Sequence, residues 1–217
     1  MARLKLGVLV SGRGSNLQAL LDACARSDFP AEVSLVISNV PGAYALTRAQ
    51  AAGVPTLVID HKEFADRAGF EAALDAALRQ AGIDLLCLAG FMRLLGGGFV
   101  EGWRDRVINI HPSLLPAFRG LHTHERAIAA GVRLHGCTVH FVRPELDDGP
   151  IIAQGVVPVL SGDDADGLAA RVLAVEHRIY PLAVELIAAG RAVVEGDIVR
   201  IHGEGASDTR TLISPKD

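Results

Sequence analysis

The chain has 217 residues, half of them hydrophobic and 21% charged, with a formal net charge of −4. That excludes a disordered chain, because apolar surface is ample to offset the entropy of ordering. It also weighs against a nucleic-acid binder: there is no long basic run, and aromatics at 5% are too few for a base-stacking platform. The length suits one domain. Cys24, Cys87 and Cys137 are odd in number, far apart and set in apolar runs, which reads as buried thiols in a reducing compartment. The first apolar stretch is broken by Lys5 and ends at Ser11, too short for a signal-peptide core. No run of about 18 apolar residues offers a membrane span, so a cytoplasmic protein is expected.

Leu4–Val10 reads as a strand and Ser11-Gly-Arg-Gly-Ser-Asn16 as a Gly-rich turn. Leu17, Leu20, Leu21 and Cys24 then recur at helical spacing. Val33–Ser38 is a second strand. Tyr44–Ala52 is an Ala-rich helix stopped by Gly53 and Pro55, and Thr56–Ile59 a short strand. Phe64–Ala81 predicts a helix with Phe64, Ala68, Leu74 and Leu78 on one face. Ile83–Ala89 is continuously apolar, as for a strand covered on both faces, and Val107–Ile110 is another. Strands alternating with helices predict an α/β fold with a doubly wound, mostly parallel sheet. Leu134–Val142 and Ile151–Val159 break that pattern and suggest an antiparallel C-terminal portion. Asp164–Ala189 predicts a long helix, with Asp163 or Asp164 as N-cap and a kink at Pro181. Residues 203–217 are polar and read as a flexible tail, leaving 1–202 as a single domain.

Open α/β sheets bind ligands beyond the carboxyl ends of their strands, and three polar segments fall there. Gly12-Arg13-Gly14-Ser15-Asn16 can present backbone N–H groups and a helix N-terminus to an anion; a tight turn capped by Ser15 is the plainer alternative. Asn109 and His111 stand two apart in an extended segment, so they share a face. An amide donor beside an imidazole suits polarising a carbonyl and stabilising an oxyanion; a strand-end histidine bonded to backbone is the alternative. Glu145-Leu-Asp-Asp-Gly-Pro150 is a solvated turn unless a nearby histidine needs an orienting carboxylate. His122, His124, His135 and His140 come without C-x-x-C or H-E-x-x-H spacing, so no metal site is expected.

Six motifs occur in order: Ser11-Gly-Arg-Gly-Ser-Asn16-Leu-Gln, Leu88-Ala-Gly-Phe-Met-Arg93, Asn109-Ile-His-Pro-Ser-Leu-Leu-Pro116, Gly120-Leu-His-Thr-His124, Glu145-Leu-Asp-Asp-Gly-Pro150 and Glu176-His-Arg-Ile-Tyr-Pro181. Together they make the chain resemble the phosphoribosylglycinamide formyltransferase family over about residues 4–200. The resemblance implies a Rossmann-like formyltransferase fold. It also implies transfer of a formyl group from 10-formyltetrahydrofolate, a co-substrate, to the amine of glycinamide ribonucleotide in purine biosynthesis. By it, Asn109 and His111 would stabilise the tetrahedral oxyanion, His111 would shuttle a proton, and Asp147 would pair with His111 and orient it. Gly14, Ser15 and Asn16 would hold the ribose phosphate, and Glu176 would contact the amine side. Arg67, Met92, Arg93, Leu94, Leu95, Asn109, Arg143, Pro144, Glu145 and Leu146 would enclose the folate. No metal, nucleic acid or membrane is implied, and the assembly would be a monomer or homodimer.

Three features depart from the family's pattern. Asp148 puts a second carboxylate after Asp147, Leu173 replaces a polar residue one turn before Glu176, and Phe118-Arg119-Gly120 is reminiscent of the relatives that formylate methionyl-tRNA. Formyltetrahydrofolate hydrolase and the methionyl-tRNA enzyme are the neighbouring readings. Each would carry a further domain, for which strand 1 at Leu4 and a tail after residue 202 leave little room. A non-catalytic nucleotide-binding protein could share the fold, though it would not need Asn109, His111 and Asp147 together.

Overall fold

The structure, a computed structural model, describes residues 2–203 and Ser214. The expected tail therefore lies outside the described residues except at Gly203 and Ser214. Strands β1 (Leu4–Val10), β2 (Ala31–Ser38), β3 (Thr56–Val58), β4 (Leu85–Leu88) and β5 (Val107–His111) pair in parallel. Strand β6 (Leu134–Phe141) runs antiparallel to β5, and β7 (Ile151–Pro158) antiparallel to β6. The sheet order is β3-β2-β1-β4-β5-β6-β7. Among the described residues six α-helices cover it: α1 (Ser15–Cys24), α2 (Tyr44–Ala51), α3 (Arg67–Gln80), α4 (Gly97–Gly102), α5 (Thr123–Ala129) and α6 (Ala165–Ala188). Buried side chains of α1, α2, α5 and α6 share one core, and those of α3 and α4 the core on the other face. Strand β1 serves both: Leu6, Val8 and Val10 enter the first core and Leu9 the second, as the alternation of a strand requires. Among the described residues no helix is long and apolar enough to cross a membrane.

Glycines let β6 approach β7 closely and let helix α6 pack onto β7. A Cβ at Gly136 would lie 1.9 Å from the Gly155 carbonyl oxygen, and one at Gly155 would lie 2.1 Å from Val175 Cγ1. Backbone cannot rotate out of such a clash as a side chain can. Gly136→Ala is therefore expected to destabilise the fold by at least ~1–3 kcal/mol, read from the midpoint of chemical denaturation.

Several predicted boundaries shift for local reasons. Helix α3 starts at Arg67 rather than Phe64, because the Asp66 side chain accepts from Gly69 N–H and caps it. Phe64 lies outside the helix with its ring 5.9 Å from that of Phe70. Ala68 is exposed, and the buried stripe is Phe70, Leu74 and Leu78. Asp164 caps α6 through Gly167 N–H, and the helix continues through Pro181. Helices α4 and α5 add to the expected elements, as does a separate antiparallel hairpin of β8 (Ala192–Glu195) and β9 (Ile198–Ile201). Neighbours β1 and β4 send the chain to opposite faces, to α1 and to α4. Their carboxyl ends form the topological switch point, where such sheets bind ligands.

Candidate active site

At the end of β1 the Gly-rich turn is held from behind. Ala45 N–H donates to the Gly12 carbonyl at 3.0 Å, and Arg48 Nε–H to the Arg13 carbonyl at 2.9 Å. A peptide's N–H points opposite to its C=O. With both carbonyls turned toward α2, the N–H groups of Arg13 and Gly14 therefore point away from it, in the style of an anion nest. Gly14 itself is the cap of α1, with φ of 71°, and Ser15 is the first helical residue, so Ser15 is not the N-cap. Only glycine suits position 14, since a Cβ there would lie 2.6 Å from Ala45 Cβ. The first-turn N–H groups of α1 add to the nest.

Strand β5 carries Asn109 and His111 on one face at its carboxyl end. His111 is buried, and both ring nitrogens face acceptors. Nε2–H donates to the Phe118 carbonyl at 3.1 Å, and Nδ1 lies 3.5 Å from Asp147 Oδ2. That same oxygen accepts from Gly120 N–H at 2.8 Å. The 118–120 loop thus holds both partners of the pair. Asp147 has φ of 49°, a left-handed conformation that Asp and Asn tolerate best among side-chain-bearing residues. Asn109 Nδ2 lies 3.4 Å from His140 Nε2. His140 Nδ1–H donates to the Phe141 carbonyl, and burial lowers the pKa of the ring, leaving Nε2 as an acceptor. One N–H of the Asn109 amide is so engaged, and the other is free to act on a ligand.

Glu176 on α6 is buried and accepts from Asn16 Nδ2 at 2.7 Å, so the Asn16 side chain turns to Glu176 rather than to the turn's anion nest. Burial pushes the Glu176 carboxyl above the usual carboxylate range, and the Asn16 bond opposes that rise. A raised folded-state pKa contributes stability that is complete below the unfolded value of ~4.3 and is lost as pH rises through the folded value. Glu176→Gln is therefore expected to melt higher than the parent at neutral pH, the gap closing toward roughly pH 4 in a series of thermal melts.

The loop after β4 brings Met92, Arg93, Leu94 and Leu95 past the switch point, with the Met92 and Leu94 side chains exposed and Met92 N–H turned inward to the Ser11 hydroxyl. The 143–147 loop approaches from the other side: a Cβ added at Gly97 would touch Pro144, and one added at Gly120 would touch Leu146. Arg143 turns its guanidinium onto Asp105 at 2.6 Å, which leaves its main chain for the loop. Arg67 is exposed at the start of α3, 3.7 Å from Glu71. Asp148 pairs with Arg119 at 2.6 Å and so ties the 143–149 loop to the 117–122 loop. His135 Nε2 lies 3.2 Å from His124 Nδ1, and burial lowers the pKa of both imidazoles, that of His135 to about 4. Among the described residues no group of three or more His, Cys, Asp or Glu is placed to hold a metal ion.

Compared with known protein families, residues 4–184 match the one described as formyl transferase. The chain belongs to the formyl transferase family. Phosphoribosylglycinamide formyltransferase of Escherichia coli (strain K12) is 42% identical over 93% of this chain and 95% of its own length. The crystal structure of glycinamide ribonucleotide transformylase 1 from Symbiobacterium toebii is 51% identical, covers 92% of this chain and 94% of that one, and superposes with a TM-score of 0.89. The trifunctional purine biosynthetic protein adenosine-3 of Gallus gallus is 47% identical over 92% of this chain, which spans only 20% of that protein's length.

In this formyl transferase, His111 meets Asp147, Asn109 lies two residues before His111 on the same strand, and Asn16 meets Glu176. Sequence reasoning missed the residues that hold them. His140 stood out only as one of several histidines, and its position across from Asn109 follows from the β5–β6 register. Arg48 carried no signal beyond a charge in a helix, yet it also bonds Gln18 at 3.1 Å and lies over the Tyr44 ring.

Proposed function

We propose that this formyl transferase moves the formyl group of 10-formyltetrahydrofolate to the amine of glycinamide ribonucleotide, giving formylglycinamide ribonucleotide and tetrahydrofolate in de novo purine biosynthesis. The observation that carries the reading is the Asn109–His111–Asp147 group at the end of β5, in a chain 42% identical to a phosphoribosylglycinamide formyltransferase over nearly its whole length. The substrate amine attacks the formyl carbon, and negative charge develops on the formyl oxygen. The free N–H of Asn109 donates to that oxygen, and the Nε2–H of His111 exchanges the Phe118 carbonyl for it. The bond from the formyl carbon to the folate nitrogen then breaks. His111 passes a proton to that nitrogen as the attacking amine gives one up, and Asp147 holds the ring in place throughout.

The amides of Gly14, Ser15 and Asn16 take the ribose phosphate without any need for a basic surface. Glu176, its second oxygen free of Asn16, takes the amine side of the acceptor. Met92, Arg93, Leu94 and Leu95 line one side of the folate, with Arg143, Pro144, Glu145 and Leu146 on the other and Arg67 toward its anionic tail. The test is to incubate the protein with both substrates and weigh the acceptor. A mass gain of one formyl group, absent when the acceptor lacks its phosphate, supports the reading. Deformylated folate with an unmodified acceptor would replace it with hydrolysis.

A further inference from the structure

At the switch point two segments 81 positions apart are joined by one hydroxyl. Ser11, the first residue after β1, accepts the Met92 N–H at 2.8 Å and donates to Asn39 Oδ1 at 2.5 Å. A serine hydroxyl has one proton to give, and both bonds use it consistently. Asn39, the residue after β2, is 3% exposed, and its Nδ2 and its main-chain carbonyl each lie 3.2 Å from His61 Nδ1. The His61 ring in turn meets Phe70 of α3 edge-on at 6.2 Å. The acceptor for Met92 is therefore linked to the second core through Asn39, His61 and Phe70, although the Met92 side chain is itself exposed. Among the described residues the main-chain N–H groups of Arg93 and Leu94 have no comparable internal anchor.

We propose that Ser11, set by Asn39, is the positioning residue of the folate loop: its hydroxyl fixes the Met92 amide and so the path of residues 91–95. This rests on reading that loop as the folate side of the site. The Gly12 and Arg13 carbonyls of the phosphate turn are held separately, by Ala45 and Arg48. Removing the hydroxyl alone should therefore loosen the folate side and spare the phosphate side, although Ser11 adjoins both.

The experiment is steady-state kinetics of Ser11→Ala and Asn39→Asp against the parent, with tetrahydrofolate binding by calorimetry. Ser11→Ala is expected to raise the folate KM and the tetrahydrofolate Kd by roughly 3–10-fold, the size of one net hydrogen bond, with the glycinamide ribonucleotide KM unchanged. Asn39→Asp keeps an acceptor for Ser11 and should hold the folate KM within about 2-fold of the parent. An unchanged folate KM in Ser11→Ala, or an equal rise in both KM values with a lowered melting temperature, overturns the proposal. If the parent itself fails to formylate glycinamide ribonucleotide, the functional reading falls. The ratio of the two tetrahydrofolate Kd values still decides the role of Ser11, and equal values reject it.

Discussion

Asp147→Asn is expected to lower turnover by roughly 10²–10⁴-fold while the protein folds and melts much as the parent does. Asp147 Oδ2 faces His111 Nδ1 and accepts Gly120 N–H. Asparagine keeps the size of the side chain but offers one acceptor oxygen in place of two. If that oxygen takes the place of Oδ2 it keeps Gly120 and still faces the ring, but without the charge that steadied it; if the amide nitrogen takes that place, its N–H groups meet both Gly120 N–H and the ring. The backbone does not confound the test, because asparagine tolerates the left-handed φ of 49° at this position. Turnover close to the parent's in a folded Asp147→Asn protein would remove Asp147 from the mechanism.

Asn109→Ala is expected to cost on the order of 10²–10³ in kcat, the usual loss for one oxyanion donor, with much smaller changes in either KM. The variant also strips His140 Nε2 of its partner, leaving a buried acceptor unsatisfied at a cost of about 1–3 kcal/mol in stability. The two effects separate by readout, kcat for donation to the formyl oxygen and the melting temperature for the His140 partner, and Asn109→Asp tests the first. Aspartate preserves the shape but cannot donate when ionised, so it should lose as much kcat as alanine does. An Asn109→Asp protein with the parent's kcat would show that donation to the oxygen is not what Asn109 supplies.

The parallel half of the sheet was legible because its strands are buried on both faces and its helices repeat at a clear period, as in β1 and α1. Helix α4 was not, since Gly96-Gly97-Gly98 reads as a turn and the helix is only six residues long. It is held by Phe99 and Trp103 packing into the second core, which is tertiary information. The hairpin at 192–201 does carry a signal, Gly196-Asp197 between two short alternating runs, that brevity conceals. In the site, strand periodicity alone places Asn109 and His111 together. Asp147 arrives from a loop 36 positions beyond His111, and no local pattern announces it; the family's combined motifs do. His140, Ser11 and Arg48 act through cross-strand register or across the switch point, so their sequence neighbourhoods are silent about them.

In the proposed mechanism the Asn109–His111–Asp147 group delivers the formyl group to an amine and not to water. The most direct measurement follows the folate absorbance change with the acceptor present and absent. Deformylation is expected only when glycinamide ribonucleotide is supplied, with one formylated product for each tetrahydrofolate released. Deformylation at the same rate without the amine would contradict it.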